Sequence, residues 1–190
     1  MKILGIAGSP RSAGNTSYLV GEALEEAERH GFETEKIMLG ECRVGPCLGH
    51  ENCGSFPSCR QDDDAPWILE KFRDAEGIIL GSPVYYYGIT AQMKAFVDRN
   101  YFLFRHGIPL KARCAGLVVV AGGGGIDHTV RALRRFVKLA TSMPDERIVT
   151  LTAYASRPGE VKGDLSAVED ARKLGTRMAE ILTSQERSPA

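Results

Sequence analysis

Short apolar runs alternate along the chain with segments in which apolar residues recur every three or four positions. The runs predict five β-strands and the periodic segments predict five α-helices. The predicted strands are Lys2–Ala7, Glu33–Leu39, Gly77–Gly81, Ala115–Ala121 and Arg147–Ala153. The predicted helices are Thr16–His30, Ala65–Phe72, Thr90–Phe104, Asp127–Thr141 and Leu165–Leu182. The end of the chain, Thr183–Ala190, is expected to fray.

Two of the predicted strands are apolar at every central position, around Ile78–Leu80 and Leu117–Val120. Such strands are typical of a sheet that is covered by helices on both faces. Regular alternation of strands and helices favours a parallel sheet. We therefore expect a single α/β domain over residues 1–190, with a flavodoxin-like, doubly wound five-stranded parallel sheet in the order 2-1-3-4-5. A ligand is expected at the carboxyl ends of the strands.

Composition and charge narrow the class of partner. The 190 residues are 43% hydrophobic, and Lys plus Arg equal Asp plus Glu at 24 each. A chain without net charge has no global field to attract nucleic acid or an anionic membrane, so we expect neither and favour a small molecule. No apolar stretch approaches the roughly 20 residues of a membrane span. The first apolar run continues into a loop without a cleavage region, which predicts a strand of a cytoplasmic protein and not a signal peptide.

The first predicted strand ends in a loop rich in glycine and hydroxyl side chains, which leads directly into a helix. The unpaired N–H groups of a helix start, together with hydroxyls and an arginine, favour phosphate binding. A Walker A loop would carry lysine before Thr16, where this chain has Asn15, so a monophosphate is the simpler ligand. The candidate phosphate ligands are Ser9, Arg11, Gly14, Asn15, Thr16 and Ser17. The alternative is an ordinary strand-to-helix turn with Ser9 or Asn15 as the N-cap.

Two further loops follow predicted strands at the same edge of the sheet. The loop after the third strand contains Pro83, Val84, Tyr85, Tyr86, Tyr87 and Gly88. Its tyrosines offer flat faces to a planar ring, or alternatively cover the core or a subunit contact. The loop after the fourth strand contains Ala121, Gly122, Gly123, Gly124 and Gly125. Its glycines permit close approach of a ligand to backbone N–H groups, and the alternative is a flexible connector.

The connection from the second strand to the second helix, at about residues 40–64, is long for an α/β protein and is expected to be functional. It contains Cys42, Cys47, Cys53 and Cys59. Five cysteines in all, four of them in one loop, favour a metal or redox site in a reducing compartment over a disulfide framework. The fifth, Cys114, is expected to be structural because it begins a buried strand.

These motifs resemble those of one family. The string S-P-R-x-x-G-N-T at residues 9–16 is similar to the first FMN-phosphate loop of the NAD(P)H-dependent FMN reductase and iron-sulfur flavoprotein families, and G-S-P-V-Y-x-x-x-x-T at residues 81–90 is similar to their second flavin-contacting loop. The resemblance implies FMN as the cofactor. The glycine run is then expected to face the pyrimidine edge of the flavin. The resemblance also implies a homodimer or homotetramer with the flavin near a subunit boundary.

The cysteine loop resembles the compact C-x2-C-x2-C-x4-7-C motif of iron-sulfur flavoproteins. Here the string is Cys47-x2-His50-x2-Cys53-x5-Cys59, with His50 in place of the second cysteine. Three interpretations remain open. The loop holds a [4Fe-4S] cluster with either His50 or Cys42 as the fourth ligand, or it holds zinc through the same mixed ligands, or its thiols are free or disulfide-paired.

The resemblance covers nearly the whole chain and implies an FMN-binding oxidoreductase. Electrons would pass from NAD(P)H or a donor protein to flavin, quinone or an iron-sulfur partner, and no catalytic side chain is expected because the flavin does the chemistry. The alternatives are a pure electron carrier, in which a cluster relays electrons to FMN, and a flavin-binding regulatory module without turnover.

Two charged features have plain interpretations. The run Asp62-Asp63-Asp64 is expected to form the acidic N-cap region of the next helix. Four basic side chains on one helical face are expected to form a solvated stripe, and the alternative is contact with an acidic partner subunit or with the phosphates of a nucleotide. They are Arg131, Arg134, Arg135 and Lys138.

Overall fold

The computed structural model describes residues 1–184 and contains one parallel sheet of five strands in the order β2-β1-β3-β4-β5. The strands are β1 (Lys2–Ala7), β2 (Glu33–Met38), β3 (Gly77–Pro83), β4 (Cys114–Ala121) and β5 (Ile148–Tyr154). The helices are α1 (Asn15–Arg29), α2 (Ala65–Asp74), α3 (Ala91–Arg99), α4 (Tyr101–Arg105), α5 (Ile126–Thr141) and α6 (Leu165–Ser184). The predicted fold class and strand order are confirmed. The predicted fraying falls mostly outside the described residues, and Thr183 and Ser184 still belong to α6.

Helices cover both faces of the sheet because each face presents apolar side chains. One apolar cluster joins α1 and α6 to the sheet, through residues such as Leu19 and Met178. The other cluster joins α2, α3 and α5 to the opposite face, where Phe72 and Phe96 pack edge to face with ring centroids 5.0 Å apart. Each such buried side chain stabilises the fold by about 1.5–3 kcal/mol relative to exposure. All of β4 is buried, as its continuous apolar sequence predicts.

The predicted helix Thr90–Phe104 is wrong in one respect, because the chain forms two helices there. The break falls at Asn100, whose side-chain Nδ2 donates to the carbonyl oxygen of Phe96 at 2.8 Å. Asparagine favours local side-chain-to-backbone bonds of this kind, which compete with regular helix. Thr90 itself is the N-cap of α3, where its side chain accepts a hydrogen bond from the N–H of Met93.

Cys114 is fully buried at the start of β4, and its surroundings agree with the structural role predicted for it. Burial raises the pKa of its thiol to about 12, so the group is neutral at physiological pH. Within residues 1–184, no helix is long and apolar enough to cross a membrane.

The basic stripe on α5 is partly neutralised within the fold. Arg134 and Lys138 both form ion pairs with Asp145, at 2.9 and 2.7 Å. Arg131 and Arg135 are exposed to solvent. The stripe therefore lies on the surface, as the helical spacing predicts.

Candidate functional site

Backbone hydrogen bonds continue past the strand ends and hold the following loops side by side. The N–H of Gly8, just after β1, donates to the carbonyl oxygen of Gly81 at 2.7 Å. The N–H of Val84, just after β3, donates to the carbonyl oxygen of Val120 at 2.8 Å. The loops after β1, β3 and β4 therefore leave the sheet together at its carboxyl edge, where a ligand is expected in an open parallel sheet.

A cavity of about 220 Å³ lies where these loops meet. It is lined by Ser9, Arg11, Gly14, Asn15, Thr16, Pro83, Val84, Tyr85, Val120, Gly122, Ala155, Ser156 and Pro158. Most of the predicted phosphate loop and part of both other predicted loops thus face the same space. Its walls are polar on the side of the first loop and apolar at Val84 and Val120.

The predicted phosphate loop ends at the start of α1, where backbone donors without partners border this cavity. Gly14 is the N-cap of α1 and contributes no side chain, and among the described residues no acceptor is present for the N–H groups of Asn15, Thr16 and Ser17. No hydrogen bond or ion pair of the Arg11 guanidinium is found among residues 1–184, and Arg11 lines the cavity. Unpaired N–H groups, the positive end of the helix dipole and an arginine all favour an anion here.

The shape of the loop depends on Ser9 and Gly14. The buried Ser9 hydroxyl accepts a hydrogen bond from the N–H of Arg11 and donates one to its carbonyl oxygen, both at 3.1 Å. A Cβ atom at Gly14 would lie 2.7 Å from the Ser9 Oγ and 3.0 Å from the carbonyl oxygen of Arg11, so a side chain here would force the loop to shift. Glycine at this position preserves the close packing of the loop.

Two predicted phosphate ligands use their side chains elsewhere. The Asn15 side chain donates to the carbonyl oxygen of Arg157 at 2.8 Å and accepts from the N–H of Val161 at 3.3 Å. The Ser17 hydroxyl donates to the sulfur of Met38 at 2.8 Å and is buried away from the cavity. Only the backbone of these residues is free for a ligand. The alternative in which Ser9 or Asn15 caps α1 is not observed, since Gly14 is the N-cap.

The tyrosine loop forms a tight turn with unusual backbone angles. The N–H groups of Tyr85 and Gly88 each donate to the other's carbonyl oxygen, at 3.0 and 3.1 Å. Between them, Tyr86 and Tyr87 have φ values of 47° and 61°. This left-handed conformation costs a side-chain-bearing residue roughly 1–2 kcal/mol. Tyr86 is fully exposed, so packing does not offset its strain, and strain of this kind is concentrated at functional sites.

The glycine run forms one wall of a second cavity of about 380 Å³, beside the tyrosine turn. It is lined by Val84, Tyr86, Tyr87, Gly122, Gly123 and Gly124, and so shares Val84 and Gly122 with the first cavity. No acceptor within residues 1–184 is present for the N–H groups of Gly122, Gly123 and Gly124. The second cavity thus combines aromatic faces with unpaired donors.

The remaining predicted residues of these loops support the backbone. Gly88 closes the tyrosine turn, and Ala121 is buried at the end of β4, where it accepts from the N–H of Ala155 at 2.9 Å. Gly125 has a φ of 96° and is the N-cap of α5. A Cβ atom at Gly125 would lie 2.8 Å from the Cα of Tyr87, so this glycine lets the two loops approach each other.

The loop after β5 is a part of the site that we did not predict. Ala155, Ser156 and Pro158 line the first cavity, and the Ser156 hydroxyl donates to the carbonyl oxygen of Gly122 at 3.3 Å. The Glu160 carboxylate accepts from the N–H groups of Ser156 and Arg157, both at 2.7 Å. The sequence could have indicated this loop, because β5 ends at the same edge of the sheet and is followed by turn-forming residues.

The candidate metal ligands lie on an irregular loop. Cys47 is exposed, Cys53 and Cys59 are partly buried, and the ring of His50 stands edge-on to that of Phe56 at 6.4 Å. Burial raises the pKa of the Cys53 thiol, and the thiols of Cys59 and Cys47 raise it further. Cys42 packs against the apolar core, which makes it a poor substitute ligand.

No three His, Cys, Asp or Glu side chains of residues 1–184 lie close enough together to hold one metal ion. This arrangement does not support a zinc site. A [4Fe-4S] cluster does not need its ligands as close together as a single metal ion does, because each ligand binds a different iron atom. The donor set of three thiols and an imidazole on one loop fits a [4Fe-4S] cluster in its chemistry.

The predicted acidic N-cap region is confirmed at Asp64, which is the N-cap of α2, and Asp63 has a further role. It accepts from the N–H of Ala65 at 3.1 Å, but it also receives two hydrogen bonds from the buried guanidinium of Arg99. Burial alone would raise the pKa of Asp63, but the bonds from Arg99 and from the N–H groups of Gly45 and Ala65 hold it below its ordinary value. Sequence reasoning missed Arg99, since an arginine inside a predicted helix carries no sign that it is buried.

A family model described as NADPH-dependent FMN reductase matches residues 1–154. The chain belongs to this family. An iron-sulfur flavoprotein of Methanocaldococcus jannaschii is 38% identical, with 96% of this chain and 97% of the relative covered. YwqN of Bacillus subtilis, provisionally assigned as an NAD(P)H-dependent FMN-containing oxidoreductase, is 34% identical with 92% and 96% covered.

Among solved structures, RosB with bound 8-demethyl-8-formylriboflavin-5'-phosphate superimposes with a TM-score of 0.76. The identity is 19%, and the alignment covers 100% of this chain and 82% of RosB, so the likeness concerns the fold. Family membership confirms the sequence prediction at the coarse level. The chain is an FMN-binding flavoprotein of the oxidoreductase class.

Proposed function

We propose that FMN lies across the two adjoining cavities, with its phosphate at residues 9–17 and its ring between the tyrosine turn and the glycine run. The observation that carries this proposal is the meeting of unpaired N–H groups, a free arginine and strained tyrosines at one edge of the sheet. The proposed activity is electron transfer from NAD(P)H or a donor protein to flavin, quinone or an iron-sulfur partner.

The phosphate loop fits a monophosphate. The N–H groups of Asn15, Thr16 and Ser17 converge at the N-terminus of α1, and Arg11 adds a charge-assisted donor. The Thr16 hydroxyl lines the same cavity and makes no hydrogen bond within the described chain. These groups suffice for a phosphate dianion without lysine or a metal ion.

The protein's contribution at the ring is to bind and orient it. When bound, FMN supplies the hydride and single-electron chemistry. The tyrosine turn presents aromatic faces, and the free N–H groups of Gly122, Gly123 and Gly124 present donors. A donor that strengthens as negative charge develops contributes about 1.5–3 kcal/mol. The glycine run would therefore raise the reduction potential of the site.

A second candidate function, electron relay through a cluster, is favoured by the cysteine loop. Cys47, Cys53, Cys59 and His50 would hold a [4Fe-4S] cluster, which would supply one-electron transfer. The iron-sulfur flavoprotein names of the relatives support this role, whereas the name of the Bacillus subtilis relative supports NAD(P)H as the donor. We further propose a homodimer or homotetramer, which analytical ultracentrifugation would test.

Anaerobic kinetics separate these functions. We expect the FMN-loaded protein to oxidise NADH or NADPH with free FMN or a quinone as acceptor. Absence of turnover, combined with rapid reduction by a low-potential protein donor, would favour the carrier. Bound FMN with neither reaction would favour a regulatory module. The exposed variant Arg135→Met serves as a control, since Arg135 lies on the surface of α5 and borders neither cavity.

A further inference from the structure

Arg99, at the end of α3, is among the most deeply buried side chains of the protein. Only 1% of it is exposed. Its guanidinium donates to both carboxylate oxygens of Asp63, at 2.5 and 2.9 Å, and to the carbonyl oxygen of Gly45 at 3.2 Å. A further bond runs from Nη2 to the sulfur of Cys59 at 3.2 Å. Arg99 therefore connects α3 to both ends of the cysteine loop.

A structural ion pair alone does not account for this arrangement. Burying a charged pair is costly, and an apolar pair of similar volume often serves stability as well. Asp63 is already supported by the N–H groups of Gly45 and Ala65. What the guanidinium adds is a donor aimed at one candidate ligand sulfur, while its Nε is buried and has no hydrogen-bond partner among the residues that the structure describes.

We propose that Arg99 is a positioning residue for an iron-sulfur cluster in the cysteine loop, where it fixes the Cys59 sulfur and raises the reduction potential of the cluster. The inference rests on the cluster-relay form of the proposed function and goes beyond it by assigning a residue outside the loop. Hydrogen bonds to ligand sulfurs favour the reduced cluster, because that state carries one more negative charge.

His50, like Arg99, would raise the reduction potential of the cluster. A neutral imidazole in place of a thiolate removes one negative charge from the ligand set, and imidazole ligation raises cluster potentials. Arg99 adds a buried positive charge beside Cys59. Both features make the cluster easier to reduce than one held by four thiolates without such a donor. The loop is thereby suited to receive an electron.

The test compares the wild-type protein with Arg99→Met, Arg99→Lys and His50→Cys after anaerobic reconstitution with iron and sulfide. Arg177→Met is the matched control, since this arginine is exposed on α6 and, among residues 1–184, pairs only with Glu180. The readouts are iron and sulfide per chain, iron retention against a chelator, and the cluster midpoint potential from redox titration followed by electron paramagnetic resonance. FMN uptake reports the integrity of the fold.

We expect the wild type and Arg177→Met to take up the same cluster at the same potential. Arg99→Met should retain iron about tenfold less well and have a lower midpoint potential. Arg99→Lys keeps a charge but not the forked geometry, so it should also lower the potential. If Arg99→Met does not fold, the iron retention and midpoint potential of Arg99→Lys test the proposal instead. His50→Cys should lower the potential while keeping the iron.

Equal iron retention and potential in the wild type and the Arg99 variants would overturn the proposal. So would a wild-type protein that binds FMN but takes up no iron, and that result would leave the proposed flavin site intact. A wild type that takes up iron but no FMN would instead contradict the flavin site and leave the role of Arg99 to be judged by the potentials of its variants.

Discussion

The hydroxyl of Thr90 donates a 2.6 Å hydrogen bond to the carbonyl oxygen of Gly8, and both residues are buried. The same Oγ1 accepts from the N–H of Met93 at 3.2 Å and so caps α3. The N–H of Thr90 donates to the Ser82 hydroxyl at 3.1 Å. One side chain thus joins the phosphate loop to the loop that carries the tyrosines. The distance between the two ends of the proposed flavin site depends on it.

We expect Thr90→Val to lower the free energy of unfolding by about 2–4 kcal/mol. The helix cap is worth about 1 kcal/mol, and the buried Gly8 carbonyl that loses its donor costs a further 1–3 kcal/mol. Urea denaturation measures the change. Thr90→Ser retains the hydroxyl and should lose much less. A loss in Thr90→Ser that equals or exceeds the loss in Thr90→Val would mean that the methyl group contributes at least as much as the hydroxyl, which would contradict this account.

Tyr86→Asn should separate stability from binding. Asparagine tolerates the left-handed backbone better than tyrosine, so we expect a gain of about 0.5–1 kcal/mol in the free energy of unfolding. The lost aromatic face should weaken FMN binding by about threefold to tenfold. Tyr86→Phe keeps both the strain and the ring and should change neither quantity. Thermal melts and fluorescence titration provide the measurements, and unchanged FMN affinity in Tyr86→Asn would remove Tyr86 from the site.

Substitution by alanine should change the stability of the fold differently at two glycines of the same run. Gly125 has a φ of 96°, and its Cβ would lie 2.8 Å from the Cα of Tyr87, whereas a Cβ at Gly123 would meet nothing within 4 Å. We expect Gly125→Ala to destabilise the fold by more than about 1 kcal/mol and to displace the tyrosine turn. Gly123→Ala should be within about 0.5 kcal/mol of the wild type. Equal stability of the two variants would show that the close approach at Gly125 is not required.

The Asp63–Arg99 pair predicts how stability depends on pH. The pKa of Asp63 is lowered from 3.8, so its contribution is present above that value and is lost as the pH falls through the folded-state pKa. Asp63→Asn should therefore be less stable than the wild type by about 3 kcal/mol at pH 7, with a difference that shrinks below pH ~4. Asp62→Asn, at an exposed neighbour, is the control. Urea denaturation between pH 7 and 2.5 measures both, and a difference that is independent of pH would contradict the pairing.

The sheet could be predicted from the sequence because each strand and helix is signalled by residues within one short segment. Apolar runs specify buried strands, and the glycine and hydroxyl residues after β1 predict a helix start with unpaired N–H groups, which favours an anion. Hydrogen bonds between polar side chains and residues far away in the sequence were not predicted. Asn15 bonds to the loop after β5, and Asp63 bonds to Arg99, each across many residues of sequence. The turn at Tyr86 was also missed, since three tyrosines in a row do not signal a left-handed backbone.

The most direct test of the proposed site is calorimetric titration of the apoprotein with FMN and with riboflavin, for the wild type and for Arg11→Met. We expect saturable uptake of one FMN per chain and at least about tenfold weaker binding of riboflavin, because the free N–H groups of α1 and Arg11 act on the phosphate. Arg11→Met should weaken the binding of FMN and leave the binding of riboflavin unchanged. Equal affinities for FMN and riboflavin in the wild type, or no saturable uptake of FMN, would contradict the account.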